Sequence, residues 1–158
     1  MSLDMTYETT TTSPDATQAL AAKLAARLKG GEVIELASDL GGGKTTFTQG
    51  LVQALGYTGD VTSPTFTLSQ IYKLSNGLEV HHYDLYRLDK GGVVGNELAE
   101  DMGEPMYITL IEWAGIADEI LPADRLRVEF DVSGENERTI TVRGLGPRSN
   151  QLLVGFNK

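Results

Sequence analysis

The sequence predicts an α/β fold of three layers, built on a mixed sheet with a parallel centre and antiparallel hairpins. Three observations predict it. A short strand-like run, Glu32 to Ala37, enters a glycine-rich turn that is followed by apolar residues at helical spacing. The run Tyr107-Ile108-Thr109-Leu110-Ile111 is continuously apolar apart from one threonine, as expected of a strand buried on both faces near a sheet centre. Two further pairs of strand-like runs flank short turn signals. A chain of 158 residues with 41% hydrophobic content suffices for one core and is short for two. The expected organisation is a loosely ordered segment over 1–12 and a single domain over 13–158.

Taken in order, the N-terminus is rich in threonine and poor in apolar residues, which places it outside the core. At Ser13 the signals sharpen: serine can cap, Pro14 suits the first turn, and Leu20, Leu24 and Leu28 share one helical face before Gly30-Gly31. After the glycine loop, Phe47, Leu51 and Leu55 define a second helix that stops at Gly56. Phe66 to Lys73 and Leu78 to Tyr83 flank Ser75-Asn76-Gly77, and Asn-Gly favours a hairpin because both residues tolerate positive φ. The segment from Asp89 to Pro105 reads as loop with one short helix around Glu97 to Met102. Leu126 to Val132 and Thr139 to Val142, joined through Gly134-Glu135-Asn136, form the closing hairpin.

Charge narrows the function classes. A formal charge of −9 argues against a broad nucleic-acid-coating surface, which needs clustered Lys and Arg to neutralise phosphates. Cysteine is absent, so disulfides, thiolate metal sites and a cysteine nucleophile are excluded. No apolar run reaches the length of a membrane span or a signal core, and a cytoplasmic location is expected.

The glycine loop reads Ser38-Asp39-Leu40-Gly41-Gly42-Gly43-Lys44-Thr45-Thr46. Gly41, Gly42 and Gly43 let successive N–H groups and the next helix N-terminus converge on an anion. Lys44 can reach β and γ phosphates, and Thr45 can offer its hydroxyl to Mg²⁺. A turn that merely joined strand to helix would not need the Gly-Lys-Thr-Thr end, so a P-loop NTPase-like fold is expected. Leu40 to Thr46 form its nucleotide-binding segment. Ser38 stands where the pattern has its first glycine; a positive φ there would cost roughly 1–2 kcal/mol.

Mg²⁺ on such a loop is usually steadied by a carboxylate at the end of another strand. Asp84 and Glu112 both end strand-like runs. Asp84 is expected on the metal side, and Glu112 is expected to orient or deprotonate water, with a metal-side role as its alternative. His81 and His82 point to opposite faces of a strand and are expected in packing or solvent roles rather than as a metal pair. Trp113 is a candidate to stack on a base, with core packing as the other reading.

As a set these residues resemble a known family. SDLGGGKTTFTQGLVQALG, VTSPTFTLSQIY, HHYDLYRL and ITLIEWAGIADEILP are similar to the TsaE (YjeE) family, the small ATPase of bacterial tRNA threonylcarbamoyladenosine synthesis. The resemblance covers roughly Thr17 to Arg143, with four blocks in family order. The chain departs from the family's G-D-L-G-A-G-K-T-T at Ser38 and Gly42. The resemblance implies ATP and Mg²⁺ binding, weak hydrolysis by the isolated protein, and association with the TsaB and TsaD proteins, tRNA being met only indirectly. It implies phosphate and metal roles for Lys44 and Thr45, a loop role for Thr46, a metal-side role for Asp84 and a catalytic neighbourhood of Glu112 and Trp113. Ser63-Pro64-Thr65 would be a switch-like loop near the γ-phosphate.

Rivals fit less well. A switch GTPase needs a guanine-reading N-K-x-D, and the only Asn-Lys pair is Asn157-Lys158. A small-molecule kinase usually carries an arginine-bearing lid, whereas between Asp84 and Tyr107 only Arg87 and Lys90 are basic. A nucleotide-gated binding module with incidental hydrolysis is the non-enzyme alternative.

Overall fold

A computed structural model of the chain describes residues 5–38, 43–61, 69–85, 98–112 and 121–156. The elements are β1 (Thr6–Thr11), α1 (Pro14–Ala25), β2 (Val33–Ala37), α2 (Lys44–Ala54), β3 (Ser69–Lys73), β4 (Glu79–Asp84), β5 (Tyr107–Glu112), β6 (Leu126–Val132), β7 (Arg138–Gly144) and α3 (Pro147–Leu152). These strands form one sheet in the order β1-β7-β6-β2-β5-β4-β3. The inner strands β6, β2, β5 and β4 run parallel, and β3, β7 and β1 add antiparallel at the two flanks. The predicted mixed sheet with parallel centre and antiparallel hairpins is the one found.

Residues two apart on these strands share a face, and one face belongs to α1 and α2. Ile34, Leu36, Leu110 and Val128 from the sheet pack with Leu20, Leu24, Phe47 and Leu51 from the helices. The other face carries a second apolar cluster of Val33, Tyr83, Leu85, Leu98, Ile111 and Leu121. Ser13 caps α1 as expected, its Oγ accepting from Ala16 N at 3.1 Å. The helix ends at Ala25 rather than running to Gly30, yet Leu28 stays buried from the turn that follows. Gly56 ends α2 with φ 107°, the left-handed conformation that glycine adopts at little cost. Where the helices meet, a Cβ on Gly50 would lie 2.7 Å from the Gln18 Cα, so only glycine permits this approach.

The N-terminal expectation is corrected. Residues 6–11 are not loose: they form β1, paired to β7 in the register Thr6↔Arg143 through Thr11↔Arg138. Isolated, the segment lacks apolar residues to hold it. Beside β7 its β-branched threonines suit a pleated edge, Tyr7 packs edge-on against Phe156 at 5.0 Å, and Thr11 and Thr17 hydroxyls meet at 2.7 Å.

The β6–β7 hairpin also does not close the domain, because α3 follows it. Asp124 serves as that helix's cap from across the chain, accepting from Arg148 N at 2.8 Å and Ser149 N at 2.9 Å. Gly146 lies so close that a Cβ there would meet the Asp124 Cγ at 2.5 Å. The short helix expected near Glu97 is seen as a helical turn at 98–101, and the expected strand start at Phe66 lies outside the described residues.

Candidate phosphate and metal site

The site lies where the parallel strands end. β2 stops at Ala37, and α2 begins at Lys44 with Gly43 as its N-cap in the left-handed region, φ 101°. Gly43 has no side chain to cap that N-terminus, so the helix dipole and its first N–H groups can serve an anion. Thr45 is exposed and Thr46 half-buried in the first turn. Lys44, by contrast, is only 6% exposed: its Nζ donates to the Ser38 carbonyl at 3.3 Å and lies 3.7 Å from Glu112 Oε1.

Register places the acids. Asp84 on β4 is the parallel partner of Glu112 on β5, and Glu112 is in turn level with Leu36 near the end of β2. Both carboxylates therefore stand on the α2 face at the mouth of the loop, Glu112 buried and Asp84 half-buried. Glu112 has a second partner that the sequence reading passed over: its Oε2 lies 2.5 Å from His82 Nε2. The signal was available in strand alternation, since His82 precedes Asp84 by two and must share its face. His81 points the other way, between Glu79 and Asp101 and stacked on Tyr107.

Among the described residues, no group of three or more His, Cys, Asp or Glu side chains converges to hold a metal by itself. The donors at hand, a threonine hydroxyl and a carboxylate, are hard oxygens that suit Mg²⁺ sharing its shell with phosphate and water. Beside the loop a small depression of about 80 Å³ is lined by Ser13, Pro14, Thr17, Gly43, Thr46 and the β6–β7 turn residues Asn136 and Arg138. On the opposite face of the sheet, Glu35 is held by Arg125 at 3.0 Å and Arg127 at 3.1 Å, and Glu129 by Arg127 and Arg143. Burial pushes the Glu129 carboxyl upward, but the two arginines outweigh it and hold the group below its ordinary range.

The sequence and the fold match known proteins. The family profile described as "Threonylcarbamoyl adenosine biosynthesis protein TsaE" matches residues 11–140. The chain belongs to the TsaE family. A relative named tRNA threonylcarbamoyladenosine biosynthesis protein TsaE from Bacillus subtilis is 39% identical, covering 94% of this chain and 92% of that one. The protein of the same name from Streptomyces coelicolor is 37% identical over 82% of this chain and 90% of its own. The crystal structure of Bacillus subtilis YdiB superposes with a TM-score of 0.81 at 34% identity, covering 99% of this chain and 97% of that one.

Within this TsaE-family fold, Gly43, Lys44, Thr45, Thr46, Asp84 and Glu112 stand at one end of the parallel strands. Leu40, Gly41, Gly42 and Trp113, together with Ser63-Pro64-Thr65, lie outside the described residues. No described helix is long and apolar enough to cross a membrane.

Proposed function

We propose that this chain binds Mg²⁺-ATP at the Leu40 to Thr46 loop and hydrolyses it to drive the synthesis of threonylcarbamoyladenosine on tRNA. The pathway follows from the names of its relatives. The activity rests on one observation, the buried Lys44 and Glu112 side chains opposed at a helix N-terminus whose N-cap is glycine. Lys44 would turn to the β and γ phosphates, Gly41 to Gly43 and the start of α2 would hold them through N–H groups, and Trp113 would stack on the base. Thr45 and Asp84 would hold Mg²⁺, which neutralises phosphate charge when bound. Glu112, no longer paired to Lys44, would orient the attacking water and accept its proton. TsaB and TsaD would be the partners in the cytoplasm, holding the tRNA while this acidic chain supplies the ATP cycle.

Equilibrium titration of ATP and ADP with and without Mg²⁺, followed by single-turnover hydrolysis with TsaB and TsaD present, tests this reading. Mg²⁺-dependent binding and a burst of ADP are expected; no binding in either condition overturns it.

A second reading is favoured by the same ion pair. Nucleotide that drew Lys44 from Glu112 would reset the site without any chemistry, and ATP would then only gate a partner surface. A Glu112→Gln protein that still supports tRNA modification would select this reading.

A further inference from the structure

His82 is completely buried, and its two ring nitrogens have unlike surroundings. Nε2 lies 2.5 Å from Glu112 Oε2, whereas Nδ1 has no hydrogen-bond partner among the described residues. Because a carboxylate only accepts, Nε2 must be the donor. The contact with Glu112 thus calls for the hydrogen on Nε2. His82 is also rigidly placed, with Leu110 beside it in register and the β4 backbone paired on both sides.

We propose that His82 is a positioning residue for Glu112. By holding Oε2, it fixes the carboxylate rotamer so that Oε1 faces Lys44, and keeps that aim once Lys44 leaves. The inference rests on the ATPase reading for its kinetic consequence, but the hydrogen bond and tautomer stand apart from it. Without the imidazole, Glu112 would lose its aim, so the chemical step should suffer while ground-state binding does not.

The test pairs spectroscopy with kinetics on the full chain. In wild-type protein without nucleotide, ¹⁵N NMR of His82 should show a protonated Nε2, and Glu112→Gln should shift the Nε2 signal. An Nδ1–H tautomer, or a His82 signal indifferent to Glu112→Gln, overturns the proposal whatever the enzyme's activity. Kinetically, His82→Phe should slow single-turnover hydrolysis at least about tenfold with Mg²⁺-ATP affinity within about twofold of wild type. His82→Gln, whose amide can donate at the Nε2 position, should recover most of the rate. His82→Phe should add nothing further in a Glu112→Gln background. A folded His82→Phe protein at wild-type rate, or one slowed equally in that background, overturns the proposal. A wild-type protein that neither binds nor hydrolyses ATP defeats the function proposed above and leaves the NMR result to decide the pairing.

Discussion

Lys44 Nζ and Glu112 Oε1 face each other at 3.7 Å, and both side chains are almost withdrawn from water. The residue proposed to meet phosphate and the residue proposed to meet water thus stand opposed as an ion pair.

Truncating Lys44 should accordingly cost stability as well as ligand. Lys44→Met leaves a buried carboxylate without its counter-charge, and a loss of roughly 1–3 kcal/mol in urea unfolding is expected together with loss of ATP binding. Lys44→Met/Glu112→Gln should regain part of that stability and none of the binding. Strictly additive stability losses would show that the pair is not energetically coupled.

The two acids should separate in their effects. Asp84→Asn should reduce the gain in ATP affinity that Mg²⁺ confers. Glu112→Gln removes the ion pair to Lys44, so affinity should hold or tighten while single-turnover hydrolysis falls by about 10²–10⁴-fold. Equal loss of Mg²⁺-ATP affinity in both variants would move Glu112 to the metal side.

Asp124 should make α3 sensitive to acid. Burial pushes its carboxyl up, but the bonds from Ser149 and Arg148 and the Arg148 charge prevail and hold it below the ordinary 3.8. A lowered folded-state value means that its contribution is full above 3.8 and disappears as pH falls through the lower folded value. Asp124→Ala should cost about 1 kcal/mol at neutral pH. In urea unfolding the difference from wild type should shrink as pH is taken from about 5 to about 2. A pH-independent difference would remove the carboxylate from the capping role.

Gly50→Ala offers a sign test. In an open helix alanine gains up to about 1 kcal/mol over glycine. Here the methyl would meet the Gln18 backbone, and overpacking of roughly 1–3 kcal/mol should win, giving a lower melting temperature. A higher one would mean that α1 and α2 can part without loss.

Where structure arises from neighbours in sequence, the sequence was readable. The succession of β2 and α2, both hairpins, the Ser13 cap, the Gly56 stop and the strand-end position of Asp84 and Glu112 all follow from local pattern. What escaped depends on distant partners. β1 looks unstructured because its threonines gain order only beside β7, and α3 takes its cap from Asp124 rather than from Gly146 before it. His82 carries no mark of its bond to Glu112, which comes from another strand, although its face was predictable.

The pairing of the first strand with the last also sets a timetable. Met5 N bonds Asn150 Oδ1, 145 residues away, and the whole of β1 waits for β7. At a synthesis rate of ~5–20 residues per second, β1 would spend on the order of ten seconds beyond the ribosome's peptidyl centre before its partner is made. A strand of Val and Ile would pass that interval as an aggregation template. Thr6-Tyr7-Glu8-Thr9-Thr10-Thr11 has the β-branching to join the sheet late and too little apolar surface to join anything else first.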